Sequence, residues 1–102
     1  MKKSVAAIVE YQVRSAHAAE FPQIIRDKWL YQEQAGYIVP GARLARLERD
    51  VPVYMEVFSW ADSEAIEPAH QDTAMLAVWD RLDDVTEGGR WEGIRIENGE
   101  WV

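Results

Sequence analysis

Residues 53–79 read VYMEVFSWADSEAIEPAHQDTAMLAVW, and the succession of residue types in this stretch decides the fold. Residues 53–60 are apolar, β-branched or aromatic apart from Glu56 and Ser59, which suits a strand whose two faces are both largely buried. Asp62 and Ser63 end that strand, and either can cap a short helix that Pro68 limits. Asp72 or Thr73 offers a second cap before an amphipathic run through Trp79, so His70 falls in the break between two helical pieces.

Upstream, residues 4–13 are apolar at first and then alternate, with Val9, Tyr11 and Val13 on one face and Glu10 and Gln12 on the other, which predicts a first strand. Ser15 is a candidate cap. Residues 18–34 are rich in helix formers, and Phe21, Ile25, Trp29 and Gln32 share a face flanked by Ile24 and Lys28. Pro22 suits a first turn, and Gly36 suits a left-handed helix end. Residues 37–50 hold a turn or bulge at Pro40-Gly41 and then a second strand, joined to the third by a connection at residues 50–52 that is short enough to make them a hairpin. Downstream, Met75, Trp79 and Leu82, with Val78 and Val85, form a helical stripe that Gly88-Gly89 terminates. Residues 91–97 alternate as a last strand, and Asn98-Gly99 is a turn pair ahead of Glu100, Trp101 and Val102.

The order strand, helix, strand, strand, helix, strand predicts an α+β, ferredoxin-like domain: one four-stranded antiparallel sheet with its helices on one face, spanning residues 1–102 as a single unit. A sheet covered on one side should show a polar opposite face, yet the first and third strands are apolar on both. A second copy packed sheet on sheet about a two-fold axis would cover it, so a homodimer is expected.

Composition narrows the function classes. The chain is 48% apolar and 28% charged, and no apolar run approaches the ~20 residues of a membrane span. Glu10 and Arg14 interrupt the apolar start, so no export signal is read and a cytoplasmic location is expected. There is no cysteine, which removes disulfides and thiolate metal sites. A formal charge of −7 repels phosphate backbones and anionic lipid head groups, so neither nucleic acid nor a membrane surface is an expected partner. Arg43, Arg46 and Arg49 could hold one small anion, although arginines on a strand more often occupy solvated or edge positions.

Two residues carry candidate chemistry. An imidazole can take or give a proton at neutral pH, and His70 stands at a helix junction, where it can act as a proton carrier or bond a nearby carbonyl. Glu56 interrupts a strand buried on both faces, so it must be paired, with Arg43 or Arg46 across the hairpin, or act as a general base raised by burial. With two histidines, no cysteine and neither HxH nor HxxxH spacing, no metal site is expected. Five tryptophans provide flat walls: Trp60 and Trp79, with Tyr11, Tyr54 and Phe58, are the candidate lining of a cavity for a small aromatic ligand, and Gln32 borders it from the first helix.

A first strand, a helix containing FPQIIRDKW, a hairpin ending in EVFSW, then ADSEAIEPAH and a helix with a central tryptophan together resemble the dimeric α+β barrel superfamily, in its antibiotic biosynthesis monooxygenase-like branch. The resemblance implies a small cavity between sheet and helices, in which some members oxidise aromatic polyketides or quinols with molecular oxygen and no metal or flavin. Haem-degrading members would carry an iron-ligating histidine near position 79, which is Trp79 here, and this argues against haem. The expected function is therefore a cofactor-independent monooxygenase-like activity on a small aromatic molecule, whose deprotonation by His70 or Glu56 would let the substrate itself pass an electron to oxygen. The alternative is a non-catalytic, ligand-binding or stress-related dimer with the same cavity.

Overall fold

The computed structural model describes residues 4–47 and 49–96. Strand β1 (Val5–Val13) leads through a 3-10 turn (Ser15–His17) into helix α1 (Phe21–Gln34), followed by β2 (Arg43–Leu47), β3 (Val53–Trp60), a second 3-10 turn (Ser63–Ala65), α2 (Ile66–Gln71), α3 (Thr73–Val85) and β4 (Thr86–Ile96). The strands form one antiparallel sheet in the order β2-β3-β1-β4, as a ferredoxin-like domain requires. β1 and β3 hold its centre, with Val9 opposite Glu56 and Tyr11 opposite Tyr54.

The alternation read in the sequence sets which side chains face the helices. Val5, Ala7, Val9, Tyr11 and Val13 are buried along β1, as are Tyr54, Phe58 and Trp60 along β3. Against them pack Phe21 and Ile25 of α1 and Leu82 and Val85 of α3, each with no exposed surface. Phe21 sits between two tyrosines, its ring centre 5.1 Å from that of Tyr11 and 5.0 Å from that of Tyr54. Ala6, Ile8, Met55 and Val57 point to the other face and are only half-buried in the single chain.

Local signals account for most boundaries. Pro22 lies in the first turn of α1, and Gly36 follows that helix at φ +80°, a conformation open to glycine. The Asp62 side chain accepts the amides of Glu64 and Ala65, and Asp72 accepts those of Ala74 and Met75.

Four expectations need correction. His70 does not stand in the break: it lies within α2, and the extended residue Asp72 makes the break. Ser15 caps nothing; α1 begins after Glu20 with no side-chain cap. Pro68 does not limit α2 but sits in its first turn, where a missing N–H leaves no bond unmade. Gly88-Gly89 is not the helix terminus. α3 ends at Val85, and the Thr86 hydroxyl donates to the carbonyls of Leu82 (2.9 Å) and Asp83 (3.3 Å), so a threonine closes the helix and the chain turns straight into β4. Both glycines lie within β4, in the segment where its register against β1 shifts between the Tyr11–Trp91 and Val13–Thr86 pairs. The Asn98-Gly99 turn and residues 100–102 lie outside the described residues.

Candidate functional site

The inner face of β3 presents Tyr54, Glu56, Phe58 and Trp60 in succession, and each meets a different chemistry. At its centre Glu56 has no exposed surface. The register places Leu44 opposite Glu56, with Arg43 and Arg46 exposed beyond it, so neither expected arginine is its partner. The cation comes from α1 instead: Lys28, 2% exposed, places Nζ 2.7 Å from Glu56 Oε2. Trp29 Nε1 donates to the same oxygen at 2.5 Å, and the Tyr11 hydroxyl donates to Oε1 at 2.6 Å. Both carboxylate oxygens are thus filled, as a buried charge demands. Burial, with the Glu56 charge beside it, pushes the Tyr11 hydroxyl well above its ordinary range and keeps it a neutral donor. The partner missed in the sequence had one signal: Lys28 lies between Ile25 and Gln32 on the buried stripe of α1.

Lys28 Nζ also donates to Gln32 Oε1 at 3.1 Å and lies 4.7 Å from the centre of the Phe58 ring. Lysine can only donate, so the oxygen of the Gln32 amide must face it and Nε2 points away. That nitrogen is buried and has no partner among the described residues.

At the far end of β3, Trp60, His70 and Trp79 come together. The His70 ring centre is 6.3 Å from that of Trp60 and 4.8 Å from that of Trp79. His70 is exposed, and its Nδ1 lies 2.7 Å from the Ile66 carbonyl one turn earlier in α2. A carbonyl oxygen only accepts, so Nδ1 is the donor in this bond. Of the two readings of His70, the carbonyl bond is the one in place.

A third cluster was not foreseen. Tyr31 and Tyr37 both donate to Asp72 Oδ2, at 2.6 and 2.7 Å, while Oδ1 caps α3. The Tyr31 bond first, then that of Tyr37, holds the Asp72 carboxyl below its ordinary range, and the same bond lifts Tyr31 to about 12.

The predicted lining residues therefore do not form one ring. Tyr11 and Gln32 belong to the buried polar centre, Trp60 and Trp79 to the His70 stack, and Tyr54 and Phe58 border two separate cavities, of about 390 and 290 Å³. His70 lines neither of these two. Among the described residues no group of three or more His, Asp or Glu side chains gathers as a metal site, and no helix is long and apolar enough to cross a membrane.

No sequence-family description and no curated protein matches the chain. Solved structures do. SnoaB, a cofactor-independent oxygenase from Streptomyces nogalater, is 16% identical and superimposes with a TM-score of 0.79 over 97% of this chain and 96% of its own. An antibiotic biosynthesis monooxygenase gives 8% identity and a TM-score of 0.74 over 94% and 99% of the two chains. A conserved protein from Methanosarcina mazei Go1 gives 9% and 0.75 over 91% and 90%. With its strand order, its helices on one sheet face and these likenesses, the chain has the ferredoxin-like fold of the antibiotic biosynthesis monooxygenase-like proteins.

Proposed function

We propose that this protein is a cofactor-independent monooxygenase acting, as a homodimer, on a small electron-rich aromatic such as a quinol or an anthrone-like polyketide. The observation that carries this reading is the His70 imidazole, which packs beside the Trp60 and Trp79 indoles and commits Nδ1 to the Ile66 carbonyl. The fold it shares with SnoaB, itself described as a cofactor-independent oxygenase, supports the choice of chemistry. His70 Nε2 takes a proton from the substrate, and the resulting carbanion passes an electron to oxygen. Recombination forms a C–O bond, and loss of water breaks the O–O bond. For a methylene the balance is CH₂ + O₂ → C=O + H₂O, so the substrate supplies every electron and His70 returns its proton to solvent. Glu56, whose oxygens are filled, is the positioning residue that fixes Lys28, Trp29 and Tyr11.

Oxygen consumption with a panel of anthrones and quinols tests this. The wild type should consume oxygen as the carbonyl product forms, and His70→Ala should lower the rate by about 10²-fold, the lower end of what a positioned base contributes. A wild type that binds panel members without consuming oxygen would support the second reading, a ligand-binding dimer without catalysis. That reading is favoured by the three donors that already bind the Glu56 carboxylate, which commit it to holding the interior together.

A further inference from the structure

Arg26 of α1 and Arg46 of the edge strand border one cavity of about 390 Å³, with Trp29, Tyr54 and Leu44 among its walls. Arg43 touches it as well, but opposite Val57 its side chain belongs to the other face of the sheet. Its volume is within the range of small-molecule sites. Among the described residues no carboxylate pairs with any of the three guanidiniums, in a chain whose formal charge is −7. Arg43 and Arg46 alone would be explained as charges that keep the β2 edge from pairing with another chain. Arg26 cannot be, because it belongs to α1, where it shares a face with Pro22 and Trp29 four residues before and three after it.

The aromatic walls have already spent their polar atoms. Trp29 Nε1 is bonded to Glu56, and the Tyr54 hydroxyl donates to the Ala18 carbonyl at 3.3 Å. Arg46 lies over the Tyr54 ring, its Cζ 5.8 Å from the ring centre. What remains is apolar surface beside the Arg26 and Arg46 guanidiniums, to which no carboxylate is bonded among the described residues. Such a lining selects a ligand that is an acceptor at one edge and planar elsewhere.

We propose that this cavity binds a planar aromatic carboxylate, its carboxylate held by Arg26 and Arg46 and its ring against Trp29. The site lies at the Tyr54 end of β3, away from the His70 stack, and does not rest on the oxygenase reading.

Isothermal titration of the full-length protein with 2-naphthoate, and with 2-naphthamide as its uncharged counterpart, tests it. The acid should bind at least about tenfold more tightly than the amide, the least that a charge-assisted contact of this kind is worth, and its affinity should fall as salt is raised. Arg46→Gln should lose at least tenfold in affinity for the acid and nothing for the amide. Arg26→Gln, on a different element, should weaken the acid in the same sense, so a folding defect in one variant cannot hide the result. Absence of naphthoate binding, equal binding of acid and amide, or unchanged affinity in both variants would each overturn the proposal. Oxygen takes no part in the measurement, so its outcome is separable from that of the enzyme test.

Discussion

Glu56 is the residue on which the interior depends, and its removal should cost more than removal of its cation. Glu56→Leu takes away the carboxylate to which Lys28, Tyr11 and Trp29 all donate, whereas Lys28→Met leaves Glu56 with two donors still in place. Urea unfolding should show a loss of about 3–5 kcal/mol for Glu56→Leu, a smaller loss for Lys28→Met, and recovery of part of the difference in the double variant. Additive losses would mean that the two charges are not coupled. The carboxylate's need for a partner was legible in the sequence, because a lone acid between Met55 and Val57 cannot stay solvated in a buried strand. The partner's identity was not. Strand pairing suggested the nearest cations across the hairpin, but Glu56 faces the helix layer, and only the packing of α1 over the sheet decides that Lys28 reaches it. Tyr11 carries a pH consequence. Its raised pKa means that the native state keeps a proton which the unfolded chain releases above pH ~10, so the stability it contributes is complete below that pH and is lost as pH rises toward its folded value. Tyr31, lifted to about 12, acts in the same sense. Replacing both by Phe should flatten the alkaline limb of stability followed by circular dichroism.

At the level of elements, Asp72 ties three pieces together: one oxygen caps α3, and the other receives hydroxyls from Tyr31 in α1 and Tyr37 beyond it. Its carboxyl is held below the ordinary range, so it contributes stability above pH ~4 that is lost as pH falls through the lower, folded value. Thermal melts from pH 6 downward should therefore show a steeper acid loss in the wild type than in Asp72→Asn. The end of α1 depends on backbone freedom. Gly36 has nothing within 4 Å of where a Cβ would stand, yet its φ is +80°, so Gly36→Ala should cost about 1 kcal/mol from conformation alone and Gly36→Asn less. Strand periodicity, the Phe21–Gln32 stripe, and the Asp62 and Asp72 caps were all visible in the sequence, because each is set by neighbours within one or two turns. The end of α3 was not, since Gly88-Gly89 carries the usual stop signal while the actual stop is a threonine hydroxyl bonded back into its own helix.

For the whole molecule, the half-buried outer face of Ala6, Ile8, Met55 and Val57 is where a second copy would pack under the proposed dimer. Light scattering should give twice the mass of one chain for the wild type and a single chain for Ile8→Glu combined with Val57→Glu. A wild type with the mass of one chain would end the dimer reading. The direct join of α3 to β4 has a mechanical meaning. Thr86 closes one element and opens the next, and the Val85 carbonyl takes the amide of Arg14 at 2.8 Å, so the helix bearing Trp79 is welded to the sheet with no slack between them. The six-residue α2 is fastened differently: a 3-10 turn leads into it, and the extended residue Asp72 separates it from α3. If anything on this surface swings to admit a molecule, it is the piece bearing His70, moving against a Trp79 that stays put. Amide exchange should be faster across residues 66–71 than across 76–85, and the imidazole and the indole beside it would then be the moving and the fixed jaw of one small clamp.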